Sequence, residues 1–525
     1  MQEYDYIVVG AGSAGCALAH RLAYRQNHQV LLIEQGNKNR GPLFTMPKGF
    51  GALLAGDKYV SRYQAECLGK KIPGEVWLRG KTLGGSSSVN GMIWLRPGPG
   101  GIDRLEAHGG QDWDAGALGA HFNALDDKGG DDGFFNIAPH RAQYAITGDF
   151  LRSCERVGLP QQTALTRLGE VGSGYLHYNI DQRGGRQSAA TAFLEHSGEM
   201  KNLHVKAGLA ADKVIFDGDR ASALVCEKAG QQVLLTARKE IILSCGALES
   251  PLILQRSGIG DPELLEQLGI PLVHDNPRVG KNLREHLIAG IGVATAAAKD
   301  SENHQYGGSK LLANLLRYFT RRSGPMAQSP CHAAAFVKSQ EQLSTPDIML
   351  MFMPFSRDGE NFSKEPGVSL SSYAMYPESA GEICLTSTDP GAMPNIQMRY
   401  LQTDYDRSAS IAGLKVVRKI MAEEPLASRV VAANSALANA ETDDDLLALV
   451  KKLGQPGFHA VGTCAMGMDR EKSVVDQRAR VVGVKGLRVA DCSILPEMIS
   501  SVTNATVMAV AMRAAHLILE DARHF

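Results

Sequence analysis

Residues 4–15 read YDYIVVGAGSAG, and the order of residue types in that stretch decides the fold class. YDYIVV has the near-continuous apolar character of a parallel strand buried on both faces. Gly10, Gly12 and Gly15 follow at once in G-x-G-x-x-G spacing, and CALAHRLA at 16–23 then repeats apolar residues with the period of a helix. A glycine turn between strand and helix presents backbone N–H groups and the positive helix end to a pyrophosphate. A second apolar run at 30–33 ends in Glu34, 19 residues beyond Gly15. A carboxylate there accepts hydrogen bonds from ribose hydroxyls and repels a 2'-phosphate. Strand, glycines, helix, strand and acid in this order predict an α/β unit that binds an adenine dinucleotide, without distinguishing FAD from NAD.

Working outward, residues 79–91 read RGKTLGGSSSVNG, a segment whose small side chains let backbone approach a flat or phosphorylated ligand closely. The apolar residues 92–95 beyond it argue that the segment passes through the interior. The 525 residues suffice for about three to four domain equivalents. Lys plus Arg number 55 against 56 Asp plus Glu, so no strong overall field draws in nucleic acid or an anionic membrane. Nine cysteines without a Cys-x-x-Cys pair fit buried thiols in a reducing compartment. With an N-terminus that opens on acids rather than basic residues, they point to a cytoplasmic protein. The longest apolar stretch, 505–519, contains Arg513 and His516 and does not read as a membrane span, which leaves peripheral membrane contact open.

Four separated segments carry a resemblance to the glucose-methanol-choline family of FAD-dependent oxidoreductases. They are GAGSAG at 10–15 with Glu34; RGKTLGGSSSVNG at 79–91; GALESPLILQRSGIG at 246–260 followed by VGKNLREHL at 279–287; and GFHAVGTCAMG at 457–467 with VADCSILPEMISSVTNATVMAVA at 489–511. The resemblance implies a discontinuous Rossmann-like FAD-binding domain from residues 1–148, 187–290 and 456–525. Residues 149–186 and 291–455 would form an α+β substrate-binding domain with an antiparallel sheet. For the cofactor it implies Gly10, Gly12, Ser13, Ala14 and Gly15, with Glu34 and Gln35. From the second segment it implies Arg79, Gly80, Thr82, Gly85, Ser86, Asn90, Gly91, Met92 and Ile93. Val205 and Ala211 would approach the adenine through backbone, Ser244, Cys245 and Gly246 would edge the dinucleotide, and Asp491, Cys492, Asn504, Ala505 and Thr506 would complete the site.

The remaining segments are read from their own residues. IMLMFMPF at 348–355 offers Met351 and Met353 as an adaptable pocket wall, although alternate residues of any strand face a core. LFTMPKGFGALLAG at 43–56 reads as a lid over the site, a membrane-touching patch or buried packing. PGPGG at 97–101 and DDKGGDDG at 126–133 read as turns and loops. Thr442 followed by three aspartates, with lysines and Gly454 at the far end, reads as a capped helix that delivers QPGFHAV.

His459 in that delivery falls where the family carries its active-site histidine, beside Phe458 as an aromatic wall. An ordinary imidazole pKa suits proton abstraction at neutral pH. The implied reaction is oxidation of a small aromatic or apolar alcohol to the carbonyl compound, with hydride passing to flavin N5 and then to oxygen, a quinone or another acceptor. The family's second polar catalytic position falls on Val502, which neither donates nor accepts. A register shift of two residues puts Asn504 there; otherwise Ser500, Ser501, Thr503 or a water substitutes, or His459 alone holds the alkoxide. Val502 keeps open a non-redox flavoprotein, a lyase or decarboxylase, and a catalytically weak flavin-binding protein. Val89 stands where some members carry a histidine that bonds FAD, which predicts non-covalent FAD. No metal-ligand motif and no G-x-S-x-G elbow is present in the sequence.

Overall fold

The computed structural model describes residues 3–24, 26–67, 70–126, 133–140, 144–195, 200–358 and 361–523. The strand Tyr4–Val9 is buried at every position and lies between the strands Val30–Glu34 and Gln231–Leu243, parallel to both. Leu203–Ala207 extends the sheet on the first side, and Leu487–Val489 pairs in parallel with Gln231–Leu243. Arg220–Lys228 and Ala210–Asp217 add antiparallel strands, giving seven in all. Strand order reverses direction beside Tyr4–Val9, so a crevice opens past its carboxyl end, where α/β sheets take their ligands.

The helix Ser13–Ala23 packs on this sheet, and the helix Asn504–Asp521 packs on that helix. One apolar core holds them together, taking Ile7, Val8, Leu18 and Leu32 from the N-terminal stretch and Val489, Met508 and Met512 from the C-terminal one. A second sheet of six antiparallel strands runs in the order Gly454–Pro456, Leu287–Ala294, Gly367–Ala374, Ile348–Met353, Ala333–Val337, Gly172–Tyr175. Its second strand, Leu287–Ala294, starts within the stretch 187–290 that the sequence assigns to the dinucleotide domain. The long hairpin Val60–Cys67 and Lys70–Gly80 forms a separate four-stranded sheet with Asn395–Met398 and Glu382–Cys384. Architecture and class are those of an α/β protein with a discontinuous Rossmann-like unit and an antiparallel-sheet unit.

Two loop readings need correction or placement. PGPGG does not end as a loop, because Pro99 opens the helix Pro99–Gly109 at its first turn, where a missing N–H costs nothing. Gly101 then lies so close to the Ile499 carbonyl that a Cβ would sit 2.0 Å from its oxygen. Residues 127–132 of DDKGGDDG lie outside the described residues. The helix Asp443–Leu453 carries the expected Thr442 cap as a full capping box with Asp445, and Gly454 ends it. No helix among the described residues is long and apolar enough to cross a membrane.

Arg488 locks the C-terminal stretch onto the sheet. It is 2% exposed and donates to both carboxylate oxygens of Glu240, at 2.8 and 2.9 Å, and to Asp521 at 2.8 Å. Removing one member of a buried pair strands the others. Arg488→Ala is expected to destabilise the fold by about 3 kcal/mol, read as a lowered midpoint in urea; an unchanged midpoint would show that the pair contributes nothing net.

Candidate active site

The ends of the central strands converge on one cavity of about 460 Å³. Gly10, Gly12, Ser13 and Ala14 line it from the glycine turn, and Glu34 and Gln35 from the end of the second strand. Arg79, Gly80, Gly85, Ser86, Asn90, Gly91, Met92 and Ile93 line it from the small-residue segment. Ala211, Ser244, Cys245, Gly246, Asp491, Cys492, Phe458, His459, Val502 and Asn504 complete this part of the wall.

Seven sequence-assigned residues do not reach it. Gly15 is pressed against the turn, where a Cβ would sit 1.8 Å from the Gly10 carbonyl oxygen. Thr82 turns its hydroxyl to the Asn37 carbonyl at 2.7 Å, and Thr506 donates to Ser500 Oγ at 3.2 Å. Val205 and Ala505 pack into the core of the dinucleotide unit. Met351 and Met353 pack against the cluster containing Met92 and Val502 but stop short of the cavity, while their neighbours Leu350 and Phe352 point into the opposite core.

Buried polar groups fix the loops. Glu34 accepts from Ala11 N–H at 3.0 Å and Gly36 N–H at 2.9 Å, and burial raises its carboxyl to about 7 against the pull of those two donors. Asp491 accepts from Gly246 N–H, Ser250 Oγ and Ser493 N–H at 2.6–2.8 Å. Buried Arg186, which the sequence reading passed over, donates to the Ser87 carbonyl and to Asn90 Oδ1 and so braces the small-residue segment. The stretch 43–56 folds into the short helices Pro42–Thr45 and Phe50–Leu54, and Phe50 and Leu54 reach the cavity.

His459 belongs to a hydrogen-bonded chain. Its Nδ1 lies 2.9 Å from His286 Nδ1, and His286 Nε2 lies 2.9 Å from the Met375 carbonyl oxygen. A carbonyl only accepts, so His286 carries its proton on Nε2. Burial pushes the His286 pKa down to about 4 and holds that of His459 well below the ordinary histidine value, with His286 and Arg79 adding to the second shift. Both rings are therefore neutral near pH 7. His286 Nδ1 then accepts, His459 Nδ1–H donates, and the lone pair of His459 resides on Nε2.

Behind the pair, buried Glu285 accepts the backbone N–H groups of His286 and His459, both at 2.8 Å and both on Oε1. Burial raises its carboxyl to about 7, a shift opposed by Arg79, whose guanidinium lies 3.9 Å from Oε2. Arg79 also donates to the Phe458 carbonyl at 2.9 Å, holding an aromatic residue at the left-handed φ of 62°. Glu285, His286 and His459 offer donor atoms within 4.8 Å of one another, as a metal site would, but the two Nδ1 atoms are engaged with each other. Sequence reasoning gave Glu285 and His286 no role. Gly457 makes their arrangement possible, since a Cβ there would lie 2.9 Å from His459 Nδ1.

Across the cavity Val502 is 8% exposed. Of the candidate substitutes, Thr503 and Asn504 line the cavity, whereas Ser500 and Ser501 are fully buried away from it. Asn504 Oδ1 accepts from Ser13 Oγ at 2.8 Å, and its buried Nδ2 has no partner among the described residues.

A glycine cradle at the switch point of a Rossmann-like sheet, opposed by a paired-histidine wall, defines a dinucleotide-dependent oxidoreductase. Residues 4–288 match the N-terminal region of the GMC oxidoreductase family and residues 377–511 its C-terminal region. The chain is 33% identical to an uncharacterized GMC-type oxidoreductase of Mycobacterium tuberculosis, over 98% of this chain and 99% of that one. It is 32% identical to alcohol dehydrogenase [acceptor] of Pseudomonas putida, over 98% and 96%. The solved structure of pyridoxine 4-oxidase from Mesorbium loti superposes with a TM-score of 0.87 at 25% identity, covering 99% of each chain. The chain belongs to the GMC oxidoreductase family, and FAD is its cofactor.

The residues present fit that cofactor. Beyond the adjoining backbone, nothing lies within 4 Å of where a Cβ on Gly12 or Gly246 would sit, so both backbones face the cavity bare, and the unpartnered Asn504 amide supplies a donor in the same wall. Gly12→Ala is expected to keep the thermal midpoint of the apoprotein while lowering the flavin content of the purified protein. Gly15→Ala, by overpacking, is expected to cost the fold about 1–3 kcal/mol; equal midpoints for the two variants would contradict this division of roles.

Proposed function

We propose that the protein oxidises a small aromatic or otherwise apolar alcohol to the carbonyl compound, with His459 as the base. The single observation that carries this is the tautomer fixed by the chain from Met375 through His286 to His459, which leaves Nε2 as the basic atom of a neutral imidazole. Bound FAD supplies the hydride acceptor. The residues expected to hold it are the glycine turn, Glu34, the 79–91 segment, Asp491 and Asn504, and Val89 on the cavity wall offers no group for a covalent bond.

His459 Nε2 accepts the hydroxyl proton, and His286 keeps the ring oriented by occupying Nδ1. Glu285 fixes the backbone of both histidines, and the Phe458 carbonyl holds Arg79, whose positive guanidinium acts on His459 and so favours the developing alkoxide. Phe458, 41% exposed although on the cavity wall, presents an aromatic face to the substrate, and Phe50 and Leu54 add apolar surface. This lining favours an apolar substrate body over a polar or charged one.

Val502 supports a second reading, a non-redox reaction, because no polar side chain occupies that point of the wall. The experiment that separates the two is an anaerobic absorbance titration of the flavin-loaded protein with aliphatic, aromatic and amino alcohols. Bleaching by an aromatic or apolar alcohol supports oxidation, and rapid recovery in air identifies oxygen as an acceptor. Absence of bleaching with every alcohol overturns it.

His459→Asn is expected to slow bleaching by about 10²–10⁴-fold with flavin content unchanged. The base acts only when neutral, and its pKa is lowered, so the wild-type acid limb is expected well below pH 6.5. A limb at or above the ordinary histidine value would sink this assignment of the base. Val502→Asn is expected to raise the bleaching rate with simple alcohols by adding a donor for the alkoxide, checked by the same titration. A lower rate with full flavin occupancy would mean that the apolar surface there serves the natural substrate.

A further inference from the structure

The helix Gly308–Arg321 is apolar on two faces. Its inner face seats Leu311, Leu315 and Tyr318 against Met46, Met326 and Ala327. Its outer face presents Leu312, Leu316 and Phe319, which are 70%, 64% and 51% exposed. Spacings of four and three residues stack these three side chains in one row along the helix. Scattered surface leucines need no explanation, but a contiguous row that includes an aromatic ring marks a contact surface.

Charge beside the row narrows the contact. Lys310, Arg317 and Arg321 are spaced by seven and four residues and so form a second row, separated from the first by the small Ala313 and Thr320. Residues 303–328 contain these three cations and Arg322, and no acid. Among the described residues, Lys310, Arg317 and Arg321 enter no ion pair. In a chain of net charge -1, this is a local basic field next to exposed apolar surface. A second copy docking face to face would bring two basic rows together, which like-charge repulsion opposes.

We propose that the outer face of the helix Gly308–Arg321 seats on the surface of an anionic lipid bilayer. The apolar row enters the headgroup boundary and the basic row contacts lipid phosphates, as in helices that lie in a membrane interface. The helix also touches a segment that contributes to the cavity wall. Tyr318 donates its hydroxyl to the Thr45 carbonyl at 3.0 Å, so the helix rests on the stretch whose Phe50 and Leu54 line the cavity. Exposed Leu43 stands in that same stretch, and exposed Phe362 stacks at 4.4 Å on Tyr306, just before the helix.

The test is co-sedimentation of the full flavin-loaded protein with phosphatidylglycerol vesicles and with phosphatidylcholine vesicles, alongside light scattering of the protein alone. Wild-type protein is expected to sediment with phosphatidylglycerol, less so with phosphatidylcholine, and to be released by salt. Leu312→Ser/Leu316→Ser/Phe319→Ser is expected to abolish sedimentation while leaving the thermal midpoint unchanged, because the three side chains are solvent-facing. Arg317→Ala and Arg321→Ala are each expected to weaken binding about fivefold. Failure of the wild type to sediment with phosphatidylglycerol, or equal sedimentation of the triple variant, overturns the proposal. So does a stable dimer that Leu316→Ser converts to monomer, since a second copy would then cover the row.

Discussion

The structure depends on backbone meeting backbone without side chains between. At the carboxyl end of Tyr4–Val9 the chain must turn into a helix, pass beneath the Ser244 carbonyl and lie against the 84–88 turn. A Cβ on Gly10 would sit 2.6 Å from the Ser244 oxygen, and one on Gly85 would sit 2.7 Å from Gly12 Cα. These contacts bring three strand ends to one point, and the cavity exists because they do. Glu34 and Asp491 then act as clamps, each buried and each taking up N–H groups that the turns leave unpaired.

The facing wall follows the same logic with different chemistry. Glu285 and His286 enter from the start of one strand, and His459 arrives from the turn after another. What joins them is a carboxylate oxygen that accepts both backbone N–H groups. Burying that carboxylate is costly, and Arg79 from the long hairpin limits the cost. The same hairpin pairs with Asn395–Met398 from the later part of the chain, so the element that balances the charge of the wall also binds distant segments together.

Much of this was legible in the sequence where the signal is local. The glycine turn, the acid ending the second strand and the Thr442 cap are each written in consecutive residues. Long-range geometry was less legible. His286 looked like part of a family segment and nothing more, because its role depends on Nδ1 meeting a ring 173 positions away. Its other partner, Met375, contributes a carbonyl that any residue would supply. Val205, Thr82 and Met351 lie outside the cavity lining, because side-chain orientation is set by strand packing and by which carbonyl a hydroxyl reaches. Gly101 was read as loop chemistry when its service is close packing against Ile499.

The hydrogen bond from Ser13 to Asn504 spans 491 positions, and the helices that carry these residues pack together. During synthesis the first strand and helix emerge hundreds of residues before the strand Leu487–Val489 and the helix Asn504–Asp521 that cover them. The nascent N-terminal half thus carries an apolar helix face that its partner helix covers only after the helix Asn504–Asp521 has been made. The cavity, whose wall includes both Ser13 and Asn504, is accordingly complete only once that last helix has been made.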